Sequence, residues 1–152
     1  MASVEREVEA SAAEIWAVLS DGWTYSAWVV GTSKIRSVDA AWPQVGTRVH
    51  HSVGAWPVLI EDHTEVLESI EPSHLVVRAR GWPLGEARVS ITAEQRGVRC
   101  LLHLEETPTK GPAAWFNNPL FDAGLRLRLS EMAVRLGAQA AGRAGREQQP
   151  TD

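Results

Sequence analysis

The sequence predicts an α+β fold in which a curved, seven-stranded antiparallel sheet wraps around a long C-terminal helix, with two short helices after the first strand. Three observations indicate this fold. Short runs of alternating apolar and polar residues, separated by glycine and proline turns, follow one another from residue 32 to residue 106, as in an antiparallel meander. A capped helical pattern precedes these runs. A longer helical pattern with a continuous apolar stripe follows them.

The chain begins with a predicted strand at residues 3–9 and a helix that starts after Ser11. Ser11 and Glu14 have the spacing of a capping box, in which each side chain binds the backbone N–H of the other residue. Asp21-Gly22 is expected to end this helix. The segment 23–28 that follows holds two tryptophans and the only tyrosine of the chain, and it is predicted to form a second short helix.

Six more strands are then expected, at residues 32–39, 46–53, 57–69, 73–80, 85–94 and 97–106. The last helix is predicted to begin at Asn118-Pro119, because asparagine caps helices well and proline fits the first helical position. Its apolar stripe comprises Phe121, Leu125, Leu129, Met132 and Leu136. We therefore expect one domain over residues 1–141, followed by a disordered tail over residues 142–152.

Composition excludes several classes of function. The 15 Lys and Arg residues are mixed with 19 Asp and Glu residues, so no basic stripe is expected to bind nucleic acid. No run reaches the roughly 18 apolar residues of a membrane span, and membrane insertion is not expected. The single cysteine, Cys100, excludes an internal disulfide and fits a cytoplasmic location. Known nucleotide and serine-hydrolase motifs are missing, and no cofactor is expected.

A family resemblance is carried by three stretches of the chain: Val4-x-Arg6-x-Val8-x-Ala10-Ser11-x-x-x-Ile15-Trp16-x-x-Leu19-Ser20-Asp21, then Trp28, then Trp42-Pro43-x-Val45-Gly46-Thr47. In this order they resemble the polyketide cyclase/dehydrase and lipid-transport superfamily, which has the START-like helix-grip fold. The resemblance spans about residues 2 to 140. It implies a deep, largely apolar tunnel between the concave face of the sheet and the last helix.

The residues expected to line this tunnel share an apolar side chain and an inward or tunnel-mouth position: Trp28, Val49, Trp56, Ile60, Trp82, Val89, Leu102, Trp115, Phe121 and Leu125. Large exposed rings need a cover, so Trp56, Trp82 and Trp115 are interpreted as a lid over the tunnel mouth. The alternative is that each tryptophan packs locally on its own turn.

Three polar residues are candidates for catalysis. Alternation places His51 and Asp62 on adjacent inner faces, where an aspartate can orient an imidazole as a general base. The alternative is a structural or polar-recognition role. Glu106 continues the inner face to the tunnel mouth, where it either binds a polar ligand end, acts as an acid or is simply solvated. His50 and His51 point to opposite faces of their strand, so no metal site is expected.

These observations favour a binding protein for a small hydrophobic molecule such as a lipid or polyketide. An enzyme of the cyclase or dehydrase type, with His51 and Asp62 as acid and base, is the second hypothesis. A protein-interaction module of the chaperone co-activator type is the third. Small residues near the end of the last helix, among them Gly137, Ala138 and Ala140, would allow close helix approach in a homodimer.

Overall fold

The structure is a computed structural model, and it describes residues 1–55, 57–81, 85–115 and 118–147. Within these residues the strands are β1 (Ala2–Val8), β2 (Thr32–Val38), β3 (Arg48–Ala55), β4 (Val58–Ile70), β5 (His74–Gly81), β6 (Gly85–Arg96) and β7 (Arg99–Lys110). The α-helices are α1 (Ala12–Leu19), α2 (Tyr25–Trp28) and α3 (Pro119–Glu147). Short 3-10 turns lie at Gly22–Thr24 and Pro112–Trp115.

All seven strands form one antiparallel sheet in the order β1-β7-β6-β5-β4-β3-β2. The chain crosses from β1 to the opposite edge through α1 and α2, and then returns as a meander until β7 pairs with β1. The helix α3 packs against β1, β7, α1 and α2. The predicted curved sheet around a C-terminal helix, with two short helices after the first strand, is confirmed.

Helix α1 begins and ends through side-chain hydrogen bonds. The Glu14 amide donates to Ser11 Oγ at 3.1 Å, and the Ser11 amide donates to Glu14 Oε1 at 3.0 Å, which completes the predicted capping box. At the other end, the buried indole Nε1 of Trp42 donates to the Leu19 carbonyl at 2.9 Å. This bond satisfies one of the carbonyls that a helix leaves unpaired at its C-terminus.

Helix α3 has the predicted start and apolar stripe. Asn118 Oδ1 accepts from the amides of Leu120 and Phe121. Leu129, Met132 and Leu136, from the middle of the stripe, are fully buried in the core.

The helix continues to Glu147, six residues past the predicted end at residue 141. Arg143 holds this part of α3 against α1, because its guanidinium donates to the Ala17 carbonyl at 3.2 Å and pairs with Asp21. Residues 142–147 are thus helical rather than a tail, and the predicted tail at 148–152 lies outside the described residues. None of the helices formed by the described residues combines the length and hydropathy needed to span a bilayer.

Two of the small residues near the end of α3 pack inside the protein. Gly137 and Ala140 are both buried, and a Cβ added at Gly137 would lie 2.8 Å from Val8 Cγ1. Their small size therefore allows α3 to approach β1. The homodimer that was predicted from these small residues stays a prediction.

Replacing Gly137 by alanine is expected to lower the free energy of unfolding by about 1–3 kcal/mol, because the new methyl group overpacks the contact with Val8. Gly124 is the matched control. It lies in the same helix with open space around it, so alanine there should raise stability by up to about 1 kcal/mol through helix propensity. Urea unfolding of both variants measures the difference. Equal effects at the two glycines would contradict the packing explanation.

Candidate functional site

A cavity of about 260 Å³ lies between the concave face of the sheet and the start of α3. The segment after α2 contributes Val29 and Val30, the strands contribute Val53, Ala79, Ala87 and Pro108, and α3 contributes Phe121 and Leu125. Ala113, from the turn before α3, closes one side. Most of the lining surface is apolar, and the charged side chains of Arg80, Glu86, Glu106 and Arg128 also reach the cavity.

A short chain of hydrogen bonds lies at one side of this cavity. Tyr25 Oη and Thr64 Oγ1 are 2.8 Å apart, and Thr64 Oγ1 lies 2.9 Å from His51 Nε2. The Tyr25 and His51 rings are also stacked, with centroids 5.5 Å apart and planes inclined by 10°. All three residues are buried. Tyr25 and His51 therefore hold one fixed arrangement on the cavity wall, with Thr64 bridging them.

Burial changes the protonation of these groups. It lowers the pKa of His51 to about 4, against a weaker opposing effect of the Asp62 charge. It also raises the pKa of Tyr25, although the hydrogen bond to Thr64 acts in the opposite direction. At neutral pH both side chains are uncharged, so this side of the cavity carries polar groups without charge.

The lowered pKa of His51 makes stability depend on pH. Between pH 6.5 and pH 4 the unfolded chain binds a proton at this residue that the folded protein does not bind. Above pH 6.5 this residue therefore does not lower the free energy of unfolding. As the pH falls below 6.5 it lowers the free energy of unfolding progressively, by about 3 kcal/mol at pH 4. Urea unfolding across this range should show a smaller decrease in His51→Asn than in the wild type. The control His103→Asn, at a partly exposed site, should behave as the wild type, and an unchanged slope in His51→Asn would contradict the assignment.

Asp62 lies directly across from His51 in the register of β3 and β4. Within the described residues, however, its carboxylate accepts from the His63 amide at 2.8 Å and lies 3.9 Å from Arg80 Nε. The hydrogen bond of His51 goes to Thr64. Asp62 is thus the register partner of His51 in the sheet, but Thr64 is the residue that hydrogen-bonds the imidazole ring.

Glu106 and Arg128 form an ion pair across the cavity wall, from β7 to α3. Glu106 is buried, and Arg128 is partly buried. The Arg128 Nε also donates to the Val30 carbonyl at 3.1 Å. This arginine therefore joins α3, the sheet and the segment after α2 at the cavity.

The chain matches the family described as "Polyketide cyclase / dehydrase and lipid transport" over residues 1–141. It belongs to this family. Comparison with curated protein sequences gave no match.

Solved structures share the fold of this polyketide cyclase/dehydrase and lipid-transport family member. A START superfamily protein from Mycobacterium smegmatis superposes with a TM-score of 0.71 at 17% identity, covering 92% of this chain and 96% of the other. A protein from Chromobacterium violaceum gives 0.66 at 17% identity, covering 90% and 94%.

The di-domain ARO/CYC StfQ from the steffimycin biosynthetic pathway gives a TM-score of 0.67 at 12% identity. The alignment covers 94% of this chain and 51% of StfQ, so the chain spans about half of that protein. At these identities the likeness establishes the fold.

Most of the predicted site residues of this family member fall into three groups. His51, Glu106, Phe121 and Leu125 line the cavity. Trp28, Val49, Val89 and Leu102 are buried in the core, and they are not part of the described lining. Trp56 and Trp82 lie outside the described residues.

Trp115 and Ile60 were also predicted to line the cavity, and neither belongs to the described lining. Trp115 is 82% exposed at the end of its turn, and Ala113 of the same turn lines the cavity in its place. Ile60 is only partly buried and is also outside the described lining. Trp28 packs edge-on against Tyr25 at 5.5 Å, so it supports the wall from behind.

Sequence reasoning missed the roles of Tyr25, Thr64 and Arg128. Thr64 could have been found from its inward position, two residues from Asp62 on the same face. Arg128 lies beside the apolar stripe of α3, where its long side chain can reach the cavity.

Within the described residues no group of three or more His, Cys, Asp or Glu side chains could hold a metal ion.

Proposed function

We propose that this protein binds a small hydrophobic molecule in the cavity beneath α3. The observation that carries the proposal is the apolar cavity wall formed by β3, β5, β6, β7 and α3. Pockets for such ligands are mainly apolar with a few placed polar groups. Membership of a family that includes lipid transport supports the same function.

The state of His51 favours binding over acid–base catalysis. A general base works best when its pKa lies near the operating pH, whereas the pKa of His51 is lowered to about 4 by burial. The imidazole is also hydrogen-bonded to Thr64, and Asp62 interacts elsewhere. This arrangement fits a polar contact for a ligand better than a proton acceptor.

An enzyme of the cyclase or dehydrase type is the second candidate. The Tyr25–Thr64–His51 chain favours it, because a phenol linked to an imidazole can pass a proton. Under this hypothesis His51 and Asp62 are the acid and base groups, and Glu106 is a further acid. The variant His51→Asn should then bind the substrate and lose turnover. A chaperone co-activator would act through its outer surface and would not need the cavity.

The first experiment is native mass spectrometry of the protein purified without detergent, followed by extraction of what co-purifies. A reproducible bound mass is expected. The variant Ala87→Phe places a ring in the cavity and should lose this mass. Ala138→Phe adds the same ring at an exposed position of α3 and should retain it. An empty wild-type protein that also binds none of a panel of apolar compounds would overturn the proposal.

The oligomeric state and the location stay predictions. Sedimentation velocity distinguishes a monomer from the predicted homodimer, and fractionation of the native host tests the predicted cytoplasmic location. Ligand binding in the cavity requires neither a dimer nor a particular location.

A further inference from the structure

The Glu106 carboxylate is held at the cavity by the alternation of β7. Leu102, Leu104 and Glu106 share the concave face of the sheet, where both leucines are fully buried and Glu106 is nearly so. Glu106 is also part of the cavity lining. Its side chain therefore projects from the inner face of the sheet, and the 8% of its surface that stays accessible is the part that meets the cavity.

One oxygen of this carboxylate is left for a ligand. Arg128 donates to Glu106 Oε2, whereas Oε1 accepts no hydrogen bond within the described residues. In that part of the chain, the fully buried side-chain atoms without a hydrogen-bond partner are Trp28 Nε1, His51 Nδ1 and Glu86 Oε2. Glu106 Oε1 is not one of them and so keeps accessible surface. An ionised carboxylate has about four acceptor sites, so a donor in the cavity can bind this oxygen.

Arg128 offers the complementary groups beside this carboxylate. A guanidinium has five N–H groups, and in Arg128 the Nε donates to the Val30 carbonyl and Nη1 donates to Glu106. The Arg128 side chain is 26% exposed and lines the cavity. The pair thus presents an acceptor and further donors next to each other. A hydroxyl is a small neutral group that both donates and accepts hydrogen bonds, so it matches the pair.

The charges of the lining favour a neutral group over an ionised one. Arg128 pairs with Glu106, and Arg80 lies 3.0 Å from Glu86. A ligand carboxylate would carry no proton for Glu106 Oε1 and would be repelled by its charge. A ligand ammonium would add a second cation beside Arg128. Burying either charge without a partner is costly.

The surface next to the carboxylate is apolar. Ala87 lies opposite Pro108 in the register of β6 and β7, and Pro108 is two residues beyond Glu106. Both line the cavity together with Phe121 and Leu125 of α3. The cavity volume of about 260 Å³ is below the range of about 300–1,000 Å³ that is usual for drug-sized ligands. A small apolar body is therefore expected beside the polar group.

We infer that the ligand is a small neutral molecule with an apolar body and a hydroxyl group that donates a hydrogen bond to Glu106 Oε1. This inference rests on the proposed function, since it names the chemical class of ligand for the same cavity. Three matched probes test it: 2-naphthol, 2-fluoronaphthalene and naphthalene. They share the same two rings, and fluorine is close in size to a hydroxyl group but has no proton to donate.

Isothermal titration calorimetry of the wild type should give a Kd for 2-naphthol about tenfold lower than that for 2-fluoronaphthalene or naphthalene, because only the hydroxyl donates to the carboxylate. The anion 2-naphthoate should bind more weakly than naphthalene. Equal Kd values for 2-naphthol and 2-fluoronaphthalene would overturn the inference and leave the proposed function intact. Binding of none of these probes would overturn both.

A double substitution removes the carboxylate without leaving Arg128 unpaired. Glu106→Leu combined with Arg128→Met replaces the ion pair by apolar side chains, a change that is often neutral for stability. This variant is expected to bind 2-naphthol and 2-fluoronaphthalene with equal Kd. The control combines Glu131→Leu with Arg135→Met, which removes the exposed pair of α3, and it should keep the wild-type ratio. A full preference for 2-naphthol in the variant without Glu106 would overturn the inference.

The position of the hydroxyl can be measured without any variant. In a crystal structure of the wild type with 2-naphthol, the hydroxyl oxygen should lie about 2.5–2.7 Å from Glu106 Oε1, as in other hydrogen bonds from a hydroxyl to a carboxylate. A hydroxyl that points away from Glu106 would overturn the inference, whatever the affinities are.

Discussion

Replacing Leu129 by alanine is expected to lower the free energy of unfolding by about 2–5 kcal/mol. Leu129 is fully buried, at 0% exposure, on the face of α3 that the sheet surrounds. Alanine removes apolar surface from the core and leaves a cavity that its rigid neighbours cannot fill. Chemical denaturation of the purified variant measures the loss. A loss of this size is a large fraction of the stability of a single domain.

Leu127→Ala is the control, since it makes the same change two residues away in the same helix. Leu127 is 74% exposed, so the expected change is within about 0.5 kcal/mol. A large loss at Leu127 would show that an additional surface, such as a dimer interface, covers this face of α3. A small loss at Leu129 would contradict the placement of α3 in the core.

Replacing Glu106 by glutamine is expected to lower the free energy of unfolding by about 2–3 kcal/mol. The change leaves the Arg128 charge partly buried without its partner, and a buried charge that loses its partner costs about 3–5 kcal/mol. The partial exposure of Arg128, 26% of its side chain, reduces this cost through solvent screening. The control is Glu131→Gln, which breaks an exposed pair with Arg135 in α3 and should cost about 0.3–0.5 kcal/mol.

The same variant should change which ligands bind. With a neutral glutamine at position 106, Arg128 becomes an unpaired cation on the cavity wall, and the affinity for a two-ring carboxylate should rise relative to that for the neutral hydrocarbon with the same rings. Titration of both probes into the wild type and into Glu106→Gln measures this change. An unchanged ratio would show that the Arg128 charge does not reach the bound ligand.

Local patterns were sufficient to predict the elements of the fold. The capping box at Ser11 and Glu14, and the cap at Asn118, each depend on residues close together in the chain. The stripe of α3 and the alternation of the strands follow from the 3.6-residue and two-residue periods of helices and strands. These signals need no long-range information, and the structure agrees with them.

The candidate site could be predicted only in part. The inward positions of His51 and Glu106 follow from strand alternation, and both residues line the cavity. Alternation gives a face but no neighbour, so it could not show that Thr64 rather than Asp62 binds the imidazole. It also could not separate Val89 and Leu102, which lie in the core, from Ala87, which lines the cavity.

The sequence by itself determined the seven strands, the helices and the inner face of the sheet, because each depends on periodicity and on caps within a few residues. The tertiary structure alone decided which inward side chains meet in the cavity. Tyr25 reaches Thr64 across 39 positions of the chain, and Arg128 reaches Glu106 across 22. Such contacts depend on the curvature of the sheet and on the position of α3 against it, and both are set by the packing of the whole core.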